Sequence, residues 1–153
     1  MTVTLQPMPP DRVSEWVARS FAVYLEERIE SGEAPDVAEA KVRRSHSENF
    51  PDGQPLPTHR VFEALADNEV VGWLWIGPQI EGSTTWWVFD IEIAETFRRR
   101  GYARAALELG HEEAKRLGAT AIGLNVFGFN TGARDLYEKL GYAVTATQMK
   151  RAL

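Results

Sequence analysis

Three arginines stand directly before a glycine in Phe97-Arg98-Arg99-Arg100-Gly101-Tyr102-Ala103-Arg104, and a strongly helix-forming run follows at once. A helix N-terminus is already the positive end of the macrodipole, so cations gathered there repel one another unless an anion offsets them. At a strand-to-helix turn, successive backbone N–H groups point into one small concavity. Gly101 removes the Cβ that would hold a ligand away, and the small side chain of Ala103 does much the same one step further on. A phosphate or pyrophosphate is the ligand such a loop would take. The chain contains neither the Walker pattern, Gly-x4-Gly-Lys-Ser/Thr, nor the dinucleotide pattern Gly-x-Gly-x-x-Gly.

Composition narrows the setting of this loop. The chain has 153 residues, 44% hydrophobic and 25% charged, which is the balance and length of one ordinary globular domain, so a single domain over 1–153 is expected. The net charge of −5 argues against a general nucleic-acid or anionic-membrane partner and permits a cationic one. There is no cysteine, which excludes disulfides, thiolate metal sites and a cysteine nucleophile and fits a reducing compartment. His46, His59 and His111 have no metal-ligand spacing, so no metal is expected. The N-terminus lacks the basic-then-apolar order of a signal peptide, and no apolar run approaches the roughly 18 residues that span a bilayer, so a cytoplasmic location is expected.

The elements that must position the loop follow from periodicity. Thr2–Leu5 alternates and is ended by Pro7, Pro9 and Pro10. From Asp11, Val13, Trp16, Val17, Ser20/Phe21, Tyr24, Leu25 and Ile29 recur at helical steps until Ser31-Gly32, and Pro35 to about Asn49 predicts a second, more polar helix. "FPDGQPLP" predicts a loop. His59–Ala66 and Val70–Gly77 predict a hairpin turning at "DNE", and Trp86–Ile93 predicts a third strand after "EGSTT". Arg100–Leu117 predicts a long helix closed by Gly118; Ala121–Phe127 a strand; Thr131–Leu140 a helix closed by Gly141; Val144–Met149 a last strand. Antiparallel strands leading into a strand–helix–strand crossover imply an α/β domain with a mixed sheet and helices on its faces.

Arg98-x-x-Gly101-x-Ala103 resembles the pyrophosphate-arm loop of the GCN5-related N-acetyltransferases, whose signature is Gln/Arg-x-x-Gly-x-Gly/Ala. A second segment is similar to the same family: Asn130, Ala133, Leu136-Tyr137-Glu138 and Gly141-Tyr142, within Leu124–Tyr142. The resemblance runs from about Ala64 to the C-terminus. It implies the family's fold: a mixed, mostly antiparallel sheet of about six to seven strands with a splayed central parallel pair and helices on both faces. It implies acetyl-CoA as cosubstrate, bound where the strands ending at Ile93 and Phe127 diverge. Carried over by motif position, Ile91 and Ile93 would offer backbone groups to the pantetheine arm. Arg98, Arg99, Arg100, Gly101, Tyr102, Ala103 and Arg104 would hold the pyrophosphate. Asn130 and Ala133 would lie against the pantetheine, and Tyr137 would point its hydroxyl at the thioester sulfur.

The chemistry this implies is acetyl transfer to an amine by direct attack in a ternary complex. The acceptor nitrogen must be neutral and close to the thioester carbon, and the departing thiolate wants a proton, which a phenol can supply. At several positions where relatives carry a catalytic glutamate, this chain has Trp87, Phe89 or Asn125. Asp90 and Glu92, two apart and so on one face of their strand, remain as proton acceptors if that face meets the acceptor rather than packed helices. Trp86 and Trp87 point to opposite faces, and one of them could line the acceptor pocket. The run Glu26, Glu27, Glu30, Glu33, Asp36 and Glu39 is either a solvated helix surface or an attraction for a cationic acceptor. Small amines, aminoglycosides, and peptide or protein amines all fit as acceptors, and a homodimer is open because the family's members are often dimers. The alternative from another class is an acyl-CoA-binding sensor without turnover.

Overall fold

A computed structural model describes residues 2–153. The strands are β1 (Val3–Pro7), β2 (Arg60–Ala66), β3 (Glu69–Pro78), β4 (Thr85–Ile93) and β5 (Ala121–Gly123); the helices are α1 (Pro10–Glu30), α2 (Pro35–Asn49), α3 (Tyr102–Arg116) and α4 (Thr131–Lys139). The strands pair in sequence order, antiparallel from β1 to β4, and β5 joins β4 in parallel. Asp67 and Asn68, both at positive φ, form the two-residue turn between β2 and β3, the geometry that a right-handed sheet twist favours in a tight hairpin.

Each face of the sheet carries its own helices. On one side Val13, Trp16, Val17 and Phe21 of α1 and Val42 of α2 pack with Phe50, Val61 and Trp75. On the other, Leu107 and Ala114 of α3 pack with Phe62, Leu74, Ile76, Trp86 and Val88, and Leu136, Tyr137 and Leu140 of α4 lie against that cluster. Gly110 lets α3 approach closely: a β-carbon there would stand 2.6 Å from Leu74 Cδ2.

Four expectations are corrected. The sheet has five strands, not six or seven, and its parallel pair lies at the edge rather than the centre. The strand expected over Ala121–Phe127 stops at Gly123, and Val144–Met149 is not in the sheet, with Val144 59% and Met149 88% exposed. A strand needs a neighbour. The chain leaves α4 through Gly141 at φ +93°, and its tail passes to the far end of α1, where Lys150 Nζ donates to the Gly32 carbonyl.

Candidate active site

The loop between β4 and α3 is built to leave donors free. Ala94 N–H donates to Val71 O, a single 3-10 turn follows over Glu95–Phe97, and then Arg99 (φ +63°) and Gly101 (φ +82°) both enter the left-handed region. Glycine adopts that region at no cost; an arginine there costs on the order of 1 kcal/mol. The first bond of helical type is Ala105 N–H to Gly101 O at 3.1 Å, and the N-cap makes no side-chain bond. Among the described residues, no protein acceptor meets the backbone N–H groups of Arg99, Arg100, Gly101, Tyr102, Ala103 and Arg104. Six consecutive amides without a protein acceptor, and Arg99 in no ion pair among the described residues, make this helix N-terminus an anion cradle.

The arginines divide. Arg98 turns away from the cradle: its Nε donates to Ile93 O at 2.8 Å and its Nη2 lies 3.5 Å from Glu92 Oε1, while its own amide donates to Glu95 O. Arg98 was expected to hold the pyrophosphate with the other arginines; here strand-side partners engage its guanidinium. Arg100 lies over the Phe97 ring and donates to Thr96 O, and Arg104 pairs with Glu108, so both stay at the rim.

From the cradle an open edge leads inward. β4 and β5 share three rungs, Thr85↔Ala121, Trp86↔Ile122 and Trp87↔Gly123, and part after the last. β4 continues to Ile93 without a neighbour on that side. Since Ala94 N–H points at β3, alternation turns the main-chain groups of Ile93 and Ile91 toward the gap. Arg98 occupies the Ile93 carbonyl. The Ile91 carbonyl and the Ile93 amide face the gap unpaired among the described residues.

A bulge sets the side chains at the inner end. Trp75 pairs with Asp90 but Ile76 pairs with Val88, so Phe89 is an extra residue. It places Phe89 and Asp90 both on the α1 face. Phe89 stacks between Trp75 (4.7 Å) and His59 (4.9 Å). Asp90 Oδ2 accepts from Ser20 Oγ and from Trp73 Nε1, each at 3.0 Å. Burial pushes the Asp90 carboxyl up to about 6, against the pull of those donors and with a further push from Glu92. Glu27, on the last turns of α1, is raised by burial and then by Asp90, Glu92 and Glu30.

Tyr137 arrives from the opposite face. Asn130 caps α4 by accepting from Ala133 N–H at 3.3 Å, which fixes the helix that carries the phenol. Its ring is half-buried against the α3-side core, and its hydroxyl meets no protein partner among the described residues. Burial, then the charges of Asp90 and Glu27, push its pKa up to about 12. The phenol therefore keeps its proton at neutral pH. Ser20 and Trp73 were not singled out by sequence for this site, and Glu27 was offered only within an acidic run that could attract a cationic acceptor. The one available signal was Ser20, a hydroxyl inside the apolar stripe of α1.

Among the described residues no group of three or more His, Asp or Glu is placed to hold a metal ion, and no helix is long and apolar enough to cross a membrane.

The family model described as "Acetyltransferase (GNAT) family" matches residues 15–142. The uncharacterized N-acetyltransferase YycN of Bacillus subtilis is 30% identical over 160 residues, covering 100% of both chains. Its crystal structure superposes with a TM-score of 0.89 at 29% identity, covering 99% of each chain. A PaiA N-acetyltransferase from Thermoplasma acidophilum, solved in complex with coenzyme A, shares the fold with a TM-score of 0.67 at 13% identity, covering 97% of this chain and 94% of that one.

Proposed function

Since the chain belongs to the GNAT acetyltransferase family, we propose that residues 1–153 act as one domain that moves the acetyl group of acetyl-CoA onto an amine in a ternary complex. The row of free amides from Arg99 to Arg104, opening onto the unpaired edge of β4, is the observation that carries this reading. Such a row suits a diphosphate, and the edge beyond it suits the amide-bearing arm of coenzyme A. The Thermoplasma relative of the same fold was crystallised with coenzyme A, which supports the assignment.

In this reading Arg99, Arg100, Gly101, Tyr102, Ala103 and Arg104 hold the diphosphate, with Arg98 buttressing the end of β4. The Ile91 carbonyl and Ile93 amide align the pantetheine, and Asn130 and Ala133 border it from α4. The acceptor enters on the α1 face. Asp90 takes a proton from the ammonium, directly or through water, and the freed nitrogen bonds to the thioester carbon. As the carbon–sulfur bond breaks, Tyr137 gives its proton to the departing sulfur, and the phenolate regains one from the nitrogen, which sheds its extra proton as the amide forms. Glu92, paired with Arg98, is the weaker choice of base. A carboxyl near 6 and a phenol near 12 suit an acid and a base working together at neutral pH.

Incubation with acetyl-CoA and a panel of small and peptide amines, with products weighed by mass spectrometry, tests the proposal. An acetylated amine supports it. Binding of acetyl-CoA with no turnover on any amine supports the sensor reading instead, which the double hydrogen bond already satisfying Asp90 Oδ2 favours.

A further inference from the structure

The vertex of the cleft is closed by one side chain. Trp87 stands on the last rung that β4 and β5 share, opposite Gly123, and the strands part immediately beyond it. Across the other edge Trp87 pairs with Gly77, two residues from Trp75 on β3, so its indole lies on the α1 face with Phe89 and Asp90. Trp86, its neighbour, is buried on the opposite face under α3. The indole of Trp87 is only half-buried, joins neither core and makes no hydrogen bond among the described residues. It leans over Gly123 instead. A β-carbon built on Gly123 would stand 2.4 Å from Cζ3, 2.9 Å from Cε3 and 3.2 Å from Cη2, so the six-membered ring rests on the bare backbone of β5. Any larger residue at 123 would lift it.

On the reading that acetyl-CoA lies along the β4 edge with its thioester at this vertex, we infer that the Trp87 indole is the stop that limits the acyl group to two or three carbons. The pantetheine enters from the cradle at the far end of β4, so the acyl chain points toward the rung where the strands rejoin. The α1 face carries the acceptor and Asp90, and the α3 face is filled by Trp86 and Val88. A longer chain would have to run across Gly123, where the indole already lies. A glycine opposite a tryptophan at that rung is what lets the ring lie flat enough to block the path.

The test is a chain-length series: acetyl-, propionyl-, butyryl- and hexanoyl-CoA, read by calorimetric affinity and, once an acceptor is known, by kcat/KM. Wild type binds acetyl- and propionyl-CoA and loses affinity sharply from butyryl-CoA onward. Trp87→Ala reverses that order, gaining about fourfold per methylene that enters the vacated space, with Trp87→Phe between the two. Gly123→Ala, which displaces the ring without removing it, moves the profile in the same direction and serves if Trp87→Ala does not fold. A wild type that binds hexanoyl-CoA as well as acetyl-CoA overturns the inference. So does a folded Trp87→Ala or Gly123→Ala whose profile parallels wild type while acetyl-CoA still binds; both results leave the acetyl-transfer reading standing. If wild type binds no CoA thioester at all, that reading falls and takes the inference with it.

Discussion

Replacing Asp90 with asparagine should make the protein more stable and less active, and the stability gain should depend on pH. The Asp90 carboxyl is pushed from its ordinary 3.8 up to about 6, chiefly by burial. Each unit is worth about 1.4 kcal/mol. A folded-state pKa above the unfolded one means that the native state gains from protonation. The contribution is fully favourable below the ordinary pKa and is lost as pH rises through about 6. At pH 8, therefore, keeping Asp90 ionised costs the native state about 3 kcal/mol. Asparagine cannot ionise, and its carbonyl oxygen still accepts from Ser20 Oγ and Trp73 Nε1, which both donate to one oxygen of Asp90. It also removes a charge that raises the Glu27 carboxyl. Urea unfolding of both proteins should show Asp90→Asn gaining about 2–3 kcal/mol at pH 8, roughly half that at pH 5, and almost nothing at pH 3. The same variant should lose most of its turnover, while wild-type kcat/KM rises through a pKa near 6. A variant destabilised at pH 8, or one whose gain is the same at pH 5 and pH 8, would refute the claim that desolvation dominates at Asp90.

The other predictions concern separate parts of the molecule. Tyr137→Phe should lower kcat on the order of 10²-fold and leave acetyl-CoA affinity unchanged, because the hydroxyl meets no protein group among the described residues and in the proposed reaction acts only on the departing sulfur. Arg99→Ala and Arg100→Ala should weaken coenzyme A binding about three- to tenfold at low salt, with the difference shrinking at high salt. Arg98→Ala should instead leave the salt dependence as in wild type, because its guanidinium is spent on Ile93 O and Glu92. His59→Ala should destabilise the fold by about 3 kcal/mol in thermal or urea unfolding, since it strands the Trp75 Nε1–H that donates to His59 Nδ1 at 2.9 Å and removes a ring stacked on Phe89.

Local chemistry was legible in the sequence wherever a single stretch carries its own reason. Gly101 and the helix after it, the Asp67-Asn68 turn and the apolar stripe of α1 are each decided within a few residues, and each stands where the periodicity and turn residues put it. What depends on distant partners was not legible. Val144–Met149 alternates like a strand, but alternation says nothing about whether a neighbour is present, and the free edge of β5 is only three residues long. Arg98 reads as one more phosphate ligand beside Arg99 and Arg100, yet the end of β4 folds back to within its reach. Glu27 reads as one acid of a solvated run; only the crossing of α1 over β4 brings it under the influence of Asp90 and Glu92.

The face presented by Asp90 turns on one residue. Strict alternation along Trp86-Trp87-Val88-Phe89-Asp90-Ile91-Glu92 would place Asp90 and Glu92 with Trp86 and Val88, beneath α3 and α4 in the apolar core, where an ionised carboxylate is not tolerated. The bulge at Phe89 resets the parity. Trp86, Val88 and Ile91 keep the α3 face, while Trp87, Phe89, Asp90 and Glu92 take the α1 face. The same extra residue bends the strand, and β5 leaves its ladder one residue before Val88. One insertion therefore lies just past the point where β4 parts from its parallel neighbour, and it turns a desolvated carboxylate out of the core toward α1, the helix that receives the amine in the proposed reaction. This is the physical reason to look for the chemistry at Phe89 and Asp90 rather than at the more exposed Glu92.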